Sequence, residues 1–246
     1  MRRIVLVASA HRSGAPRMAR WLGCHPSALD VGNLPAFPGW MTHRDGGRCA
    51  CGAAPFVACP FWGAVADRVL AETGWDPLAD PHAHALELRG RSLLQRVRMR
   101  ALRHLYLAAP GGAWPFRLLG GPRVLRDLVE ATLRLYDAAL DVAGAEVLVD
   151  HPWEPARVRA LVAARPGTRV LHVVSDPQHP APAARRFQDM LATLPRWSWM
   201  ELHQDDLETE PEETLARACA FVDLTFHPQM LDPARISRHP VGVGAA

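Results

Sequence analysis

The chain has 246 residues, 49% of them hydrophobic, and its 28 basic and 25 acidic side chains leave a net charge of +3. This content supports a buried core of domain size and excludes a disordered or membrane-spanning chain, while the charge is too small to indicate a nucleic-acid partner. All 28 basic residues are arginine, which excludes a lysine base, a Schiff-base lysine and the Walker-type phosphate loop of ordinary kinases and ATPases.

The chain opens on an apolar run, Arg3 to Ser9. Ser9, His11 and Arg12 interrupt it too early for the apolar region of a secretion signal, so it reads as a first strand. A polar turn, His11-Arg12-Ser13-Gly14, leads into a helical stretch ending at Gly23. Strand, tight turn and helix in that order present backbone N–H groups and a helix N-terminus to a phosphate. Arg12 adds a fixed positive charge to such a cradle, Ser13 a hydroxyl, and His11 a group able to move a proton. Ala15 and Pro16 continue the turn without side-chain donors, and Pro16 has no N–H. His25 precedes Pro26, a position that ends a helix.

Cys49, Cys51 and Cys59 follow as the densest thiol cluster, with Cys24, His43 or another residue available as a fourth ligand. Structural zinc sites pair their cysteines at C-x2-4-C spacing, which one C-x-C and one further cysteine do not match. No metal ligand is therefore assigned, and a disulfide or reduced thiols are the competing readings. Residues 60–143 hold helix-like segments and no clear strand, so a helical insertion or lid is expected within a single domain spanning 1–246. Within it, Arg89, Arg91, Arg96, Arg98, Arg100 and Arg103 alternate with apolar residues. A solvated helix face is the expected role, with an anionic membrane or acidic acceptor as the alternative.

Two further apolar runs, Glu146–Asp150 and Arg169–Val174, have the character of buried parallel strands, and Ser198–Leu202 is a weaker one. Helical patterns lie at about 155–165, 183–194 and 211–222. Such alternation specifies a three-layer α/β fold with a mostly parallel sheet, whose ligands gather at the carboxyl ends of the strands. Asp150 and Asp176 stand at those ends, where capping of the following helix is an equally good role.

These residues carry a resemblance. Arg12-Ser13-Gly14, Leu22-Gly23, His25-Pro26 and Val31-Gly32 resemble the opening of bacterial sulfotransferases, including the group similar to tyrosylprotein sulfotransferases. Cys49-Ala50-Cys51-Gly52 and Cys59-Pro60-Phe61-Trp62 resemble the C-x-C-G and C-P-F-W elements of one bacterial branch. Val149-Asp150 with Pro155-Ala156-Arg157, Val174 to Pro177, and Leu202 to Leu207 with Glu213-Thr214-Leu215 are similar to its later motifs. The resemblance implies a P-loop-like sulfotransferase fold and transfer of a sulfuryl group from 3'-phosphoadenosine-5'-phosphosulfate (PAPS) to a hydroxyl or amine. It places Arg12, Ser13 and Gly14 at the donor's phosphosulfate and Ser175 at its 3'-phosphate; the turn itself offers His11 as the best available base, so His11 and Arg12 are the catalytic candidates.

The chain departs from the pattern where chemistry is expected. Asn33 stands at a carboxylate base position, Trp153 at a lysine position, Ser175 at an arginine position and Ala183 at a serine position. Three lost hydrogen bonds to charged groups cost about 5–9 kcal/mol if additive, against about 8 kcal/mol for a micromolar donor. Two function classes are therefore expected to compete: a sulfotransferase, and an impaired or repurposed member acting as a binding scaffold. With no targeting segment, a cytoplasmic location is expected.

Overall fold

The computed structural model describes residues 2–9, 14–41, 48–83, 86, 92–108, 114–175, 182–232 and 239–241. His11, Arg12, Ser13, His43, Arg89, Arg91 and Asp176, singled out above, lie outside the described residues.

The chain begins with β1 (Arg3–Ser9) and α1 (Ala15–Leu22), followed by β2 (Ala28–Asp30) and the short α2 (Phe37–Met41). Four helices come next: α3 (Pro60–Thr73), α4 (Leu93–Ala108), α5 (Trp114–Leu118) and α6 (Gly121–Ala143). The second half alternates regularly, through β3 (Val147–Asp150), α7 (Pro155–Ala164), β4 (Arg169–Val174) and α8 (Pro182–Leu191). It closes with β5 (Trp199–His203), α9 (Gln204–Thr209) and α10 (Pro211–Phe221).

The sheet has five strands in the order β2-β3-β1-β4-β5, and every pairing is parallel. Three of the four expected strands were continuous apolar runs because a parallel sheet is covered on both faces. β2 was not anticipated: three residues, Ala28-Leu29-Asp30, are too short to show a period, and pairing with β3 defines them.

Alternate residues of β1 feed two cores. Ile4, Leu6 and Ala8 pack with Trp62 and Val65 of α3, Leu135, Tyr136 and Ala139 of α6, and Phe187 of α8. Val5 and Val7 pack on the other face with Met18 and Leu22 of α1, Leu207 of α9 and Leu215 of α10. Side chains two apart on a strand share a face, so this division gives three layers. A smaller cluster joins Leu102 and Tyr106 of α4 to Phe116 of α5 and Ala156 and Ala160 of α7, and it fixes α4 beside the carboxyl ends of the strands. Among the described residues no helix is long and apolar enough to cross a membrane.

Candidate functional site

β1 ends at Ser9, and the described chain resumes at Gly14, ahead of α1. Gly14 has ordinary helical-side dihedrals (φ −69°), so its need for glycine is spatial: a Cβ there lies 2.5 Å from Leu207 Cδ1. Gly14 is thereby seated against Leu207 of α9. Pro16 is in the first turn of α1, where the missing N–H removes one donor from the helix N-terminus. Ser175 follows β4 directly and is exposed.

β3 ends on Asp150, which is fully buried. Its Oδ1 accepts the Leu34 N–H at 3.1 Å, and its Oδ2 accepts the Tyr136 hydroxyl. Arg157 Nη2 lies 3.7 Å from Oδ2, and both side chains are shut off from solvent. Arg157 also donates to the Leu86 carbonyl. Burial and the adjacent carboxylate push the Tyr136 phenol well up, keeping it a proton donor. Asp150 does not cap the following helix: the Glu154 carboxylate does, accepting the Ala156 N–H at 3.3 Å. Asp150 instead ties the segment after β2 to α6 and α7.

That tie positions one wall of a cleft of about 640 Å³ at the carboxyl side of the sheet. Asn33, Trp153 and Ala183, far apart in sequence, line it together. So do Arg100, Arg103, Arg157 and Arg186, against Glu154 as the carboxylate among its lining residues. Glu154 is engaged with Arg103 at 2.7 Å, whereas Arg100 and Arg186 have no ion-pair partner among the described residues. Among the described residues, Asn33 Oδ1, Trp40 Nε1 and Arg157 Nε are buried without a hydrogen-bond partner, a concentration of unmet polar atoms around one cavity. The arrangement suits an anionic ligand with both acceptor and donor groups.

The arginine-rich stretch has the solvated helix face expected of it, with Arg96, Arg98 and Arg100 exposed, and part of it also borders the cleft. Arg100, Arg103, His104 and Leu107 recur at one helical face, and α4 turns that face into the cleft, while Leu93, Leu94 and Val97 stand exposed. The 3–4 spacing was the available signal; which face bordered the cleft depended on packing against α5 and α7.

Among solved structures, the sulfotransferase domain from the curacin biosynthetic pathway superposes with a TM-score of 0.52 at 15% identity, over 100% of this chain and 82% of that one. This chain has a sulfotransferase fold. A sulfotransferase from Mycobacterium tuberculosis matches at 15% identity and TM-score 0.47, over 100% of this chain and 74% of that one. The sulfotransferase domain of a Synechococcus olefin synthase matches at 12% identity and TM-score 0.43, over 94% and 76%. No protein-family model and no curated protein matches the sequence.

Within this fold, the donor positions expected at Ser175 and Ala183 lack the cationic and hydroxyl groups of the sulfotransferase pattern. Arg186, three residues beyond Ala183 on α8, lines the cleft and supplies a charge there. The cations and unmet polar atoms fit a phosphate- or sulfate-bearing donor; the missing hydroxyl at Ala183 is a real loss within that fit.

Proposed function

We propose that this sulfotransferase-fold protein binds a PAPS-type donor and transfers its sulfuryl group to a hydroxyl or amine acceptor. The observation that carries the reading is the cleft's charge: Arg100, Arg103, Arg157 and Arg186 line it, Arg103 paired with Glu154 and Arg157 with Asp150, while Arg100 and Arg186 have no ion-pair partner among the described residues. PAPS supplies, when bound, the activated sulfuryl group. Arg12, Ser13 and Gly14 hold its phosphosulfate in this reading, and Arg100 and Arg186 neutralise charge along the cleft. Preorganised cations of this kind stabilise negative charge as it develops and need no rearrangement to do so.

An acceptor proton requires a base. Asn33 at the carboxylate position of the sulfotransferase pattern has an amide, which does not take a proton at neutral pH. His11 is one candidate, and the cleft offers another, His104, on the same face of α4 as Arg100 and Arg103. An imidazole is suited to this step, while Glu154 is held by Arg103 and the α7 N-terminus.

A second reading, a scaffold that binds its ligand without turnover, is favoured specifically by Asn33, Trp153 and Ala183 lining one cavity. Incubation with radiolabelled PAPS and a panel of hydroxyl and amine acceptors separates the two. Label transfer that falls on His104→Ala supports the enzyme. Donor binding with no transfer to any acceptor supports the scaffold.

A further inference from the structure

Cys49, Cys51 and Cys59 are joined in space by a residue that their spacing does not reveal. His239 lies 180 positions beyond Cys59, and its Nδ1 is 3.2 Å from Cys59 Sγ and 3.5 Å from Cys49 Sγ. Cys51 Sγ is 3.7 Å from Cys59 Sγ, and all four ligand atoms lie within 4.8 Å of one another. Tetrahedral zinc with Zn–S near 2.3 Å and Zn–N near 2.0–2.1 Å sets S···S at about 3.8 Å and S···N at about 3.5 Å. The cluster already has the dimensions of a coordination shell.

The local structure is built to hold these atoms. Gly52, at φ +94°, closes a turn in which its N–H meets the Cys49 carbonyl at 2.9 Å, and the Cys49 N–H meets the Ala53 carbonyl at 2.9 Å. Both cysteines of the C-x-C thereby point to one side. Cys59 precedes the first turn of α3, a position where helix N–H groups favour a thiolate once a metal is bound. The His239 ring stacks on Phe61 at 4.6 Å with 14° between planes, and its carbonyl accepts the Trp62 indole N–H at 2.8 Å. Backbone bonds from Val241 to Val31 at 2.8 Å and from Asn33 to Val241 at 2.9 Å fix the same segment against the cleft wall. Cys24, the other thiol considered as a ligand, is in the opposite core and donates to the Arg20 carbonyl.

We infer that Cys49, Cys51, Cys59 and His239 form a structural Zn²⁺ site. Three sulfurs and one imidazole are the soft, borderline donor set that zinc takes in tetrahedral closed sites, with no position left for a substrate. Binding forms three Zn–S bonds and one Zn–N bond, and the three thiol protons pass to solvent. The ion fastens the C-terminal segment to the Cys49–Cys59 loop and to the start of α3. Because Val241 pairs with the residues flanking Gly32, it also steadies Asn33 at the cleft.

The full chain, purified with a reductant, is assayed for bound metal by elemental mass spectrometry and then loaded with Co²⁺. One zinc per chain is expected, together with the strong visible bands of tetrahedral cobalt and a thiolate-to-cobalt charge-transfer band. Cys51→Ser, at the surface, and His239→Ala are each expected to lose the retained zinc and to change the cobalt spectrum. A metal-free chain that takes up neither ion with its thiols titrating as free, or a Cys51–Cys59 disulfide in the chain as isolated, overturns the assignment. So does a cobalt spectrum unaltered by His239→Ala. The cobalt measurement on the unaltered chain decides the matter even where a variant fails to fold.

Discussion

Replacing Asp150 by Ala removes the carboxylate that joins three elements. The substitution deletes the acceptors of Leu34 N–H and Tyr136 OH and leaves the Arg157 guanidinium, 1% exposed, without its counter-charge. Breaking a buried pair from one side costs about 3–5 kcal/mol, because the remaining charge stays desolvated. For a chain of this size each kcal/mol shifts Tm by about 2 °C, so a fall of about 6–10 °C is expected. Differential scanning calorimetry on Asp150→Ala, Arg157→Met and the double variant measures the coupling. The double variant is expected to regain part of the loss, since it contains neither orphaned charge. A single-variant loss under about 2 °C, or a double variant showing the full sum of the two losses, refutes a coupled buried pair.

Arg100→Ala, which breaks no ion pair among the described residues, is expected to weaken anion binding in the cleft by about 10- to 150-fold, with Tm nearly unchanged; equal affinity in a titration removes Arg100 from the site. Gly32→Ala forces a Cβ to within 2.4 Å of the Val241 carbonyl at φ +74°. About 1–3 kcal/mol of strain is expected, with a lower Tm and freer exchange of the Val241 amide, checked by calorimetry and hydrogen exchange. Burial holds the His172 imidazole below its usual range despite the neighbouring Glu201, and burial, His227 and Arg3 do the same for His25. The unfolded chain therefore binds more protons once pH falls below about 6.5. Stability is full above that value and declines below it toward the folded-state pKa. Melts at descending pH follow this loss, and His172→Gln flattens it; a Tm that rises on acidification contradicts the sign.

Legibility in the sequence followed local pattern. β1, β3 and β4 showed themselves as apolar runs because both of their faces are covered, and the helices after them as periodic stretches. β2 is defined by its partner and not by its own three residues. Asn33, Trp153 and Ala183 were identifiable one at a time from motif position, but their convergence on one cleft is a product of strand order. Arg100, Arg103 and His104 were hidden inside a longer arginine run whose inward face is chosen by Leu102 and Tyr106 packing on α5 and α7. His239 gave no sign beside the cysteines, since chain distance, not spacing, separates it from them.

The most direct test of the central claim is calorimetric titration with adenosine 3',5'-bisphosphate, the product left by sulfuryl transfer from PAPS, with Arg12→Ala and Arg100→Ala beside the unaltered chain. Micromolar binding that both variants weaken is the predicted result. No binding up to millimolar concentration contradicts it and leaves the sulfotransferase fold serving a different ligand.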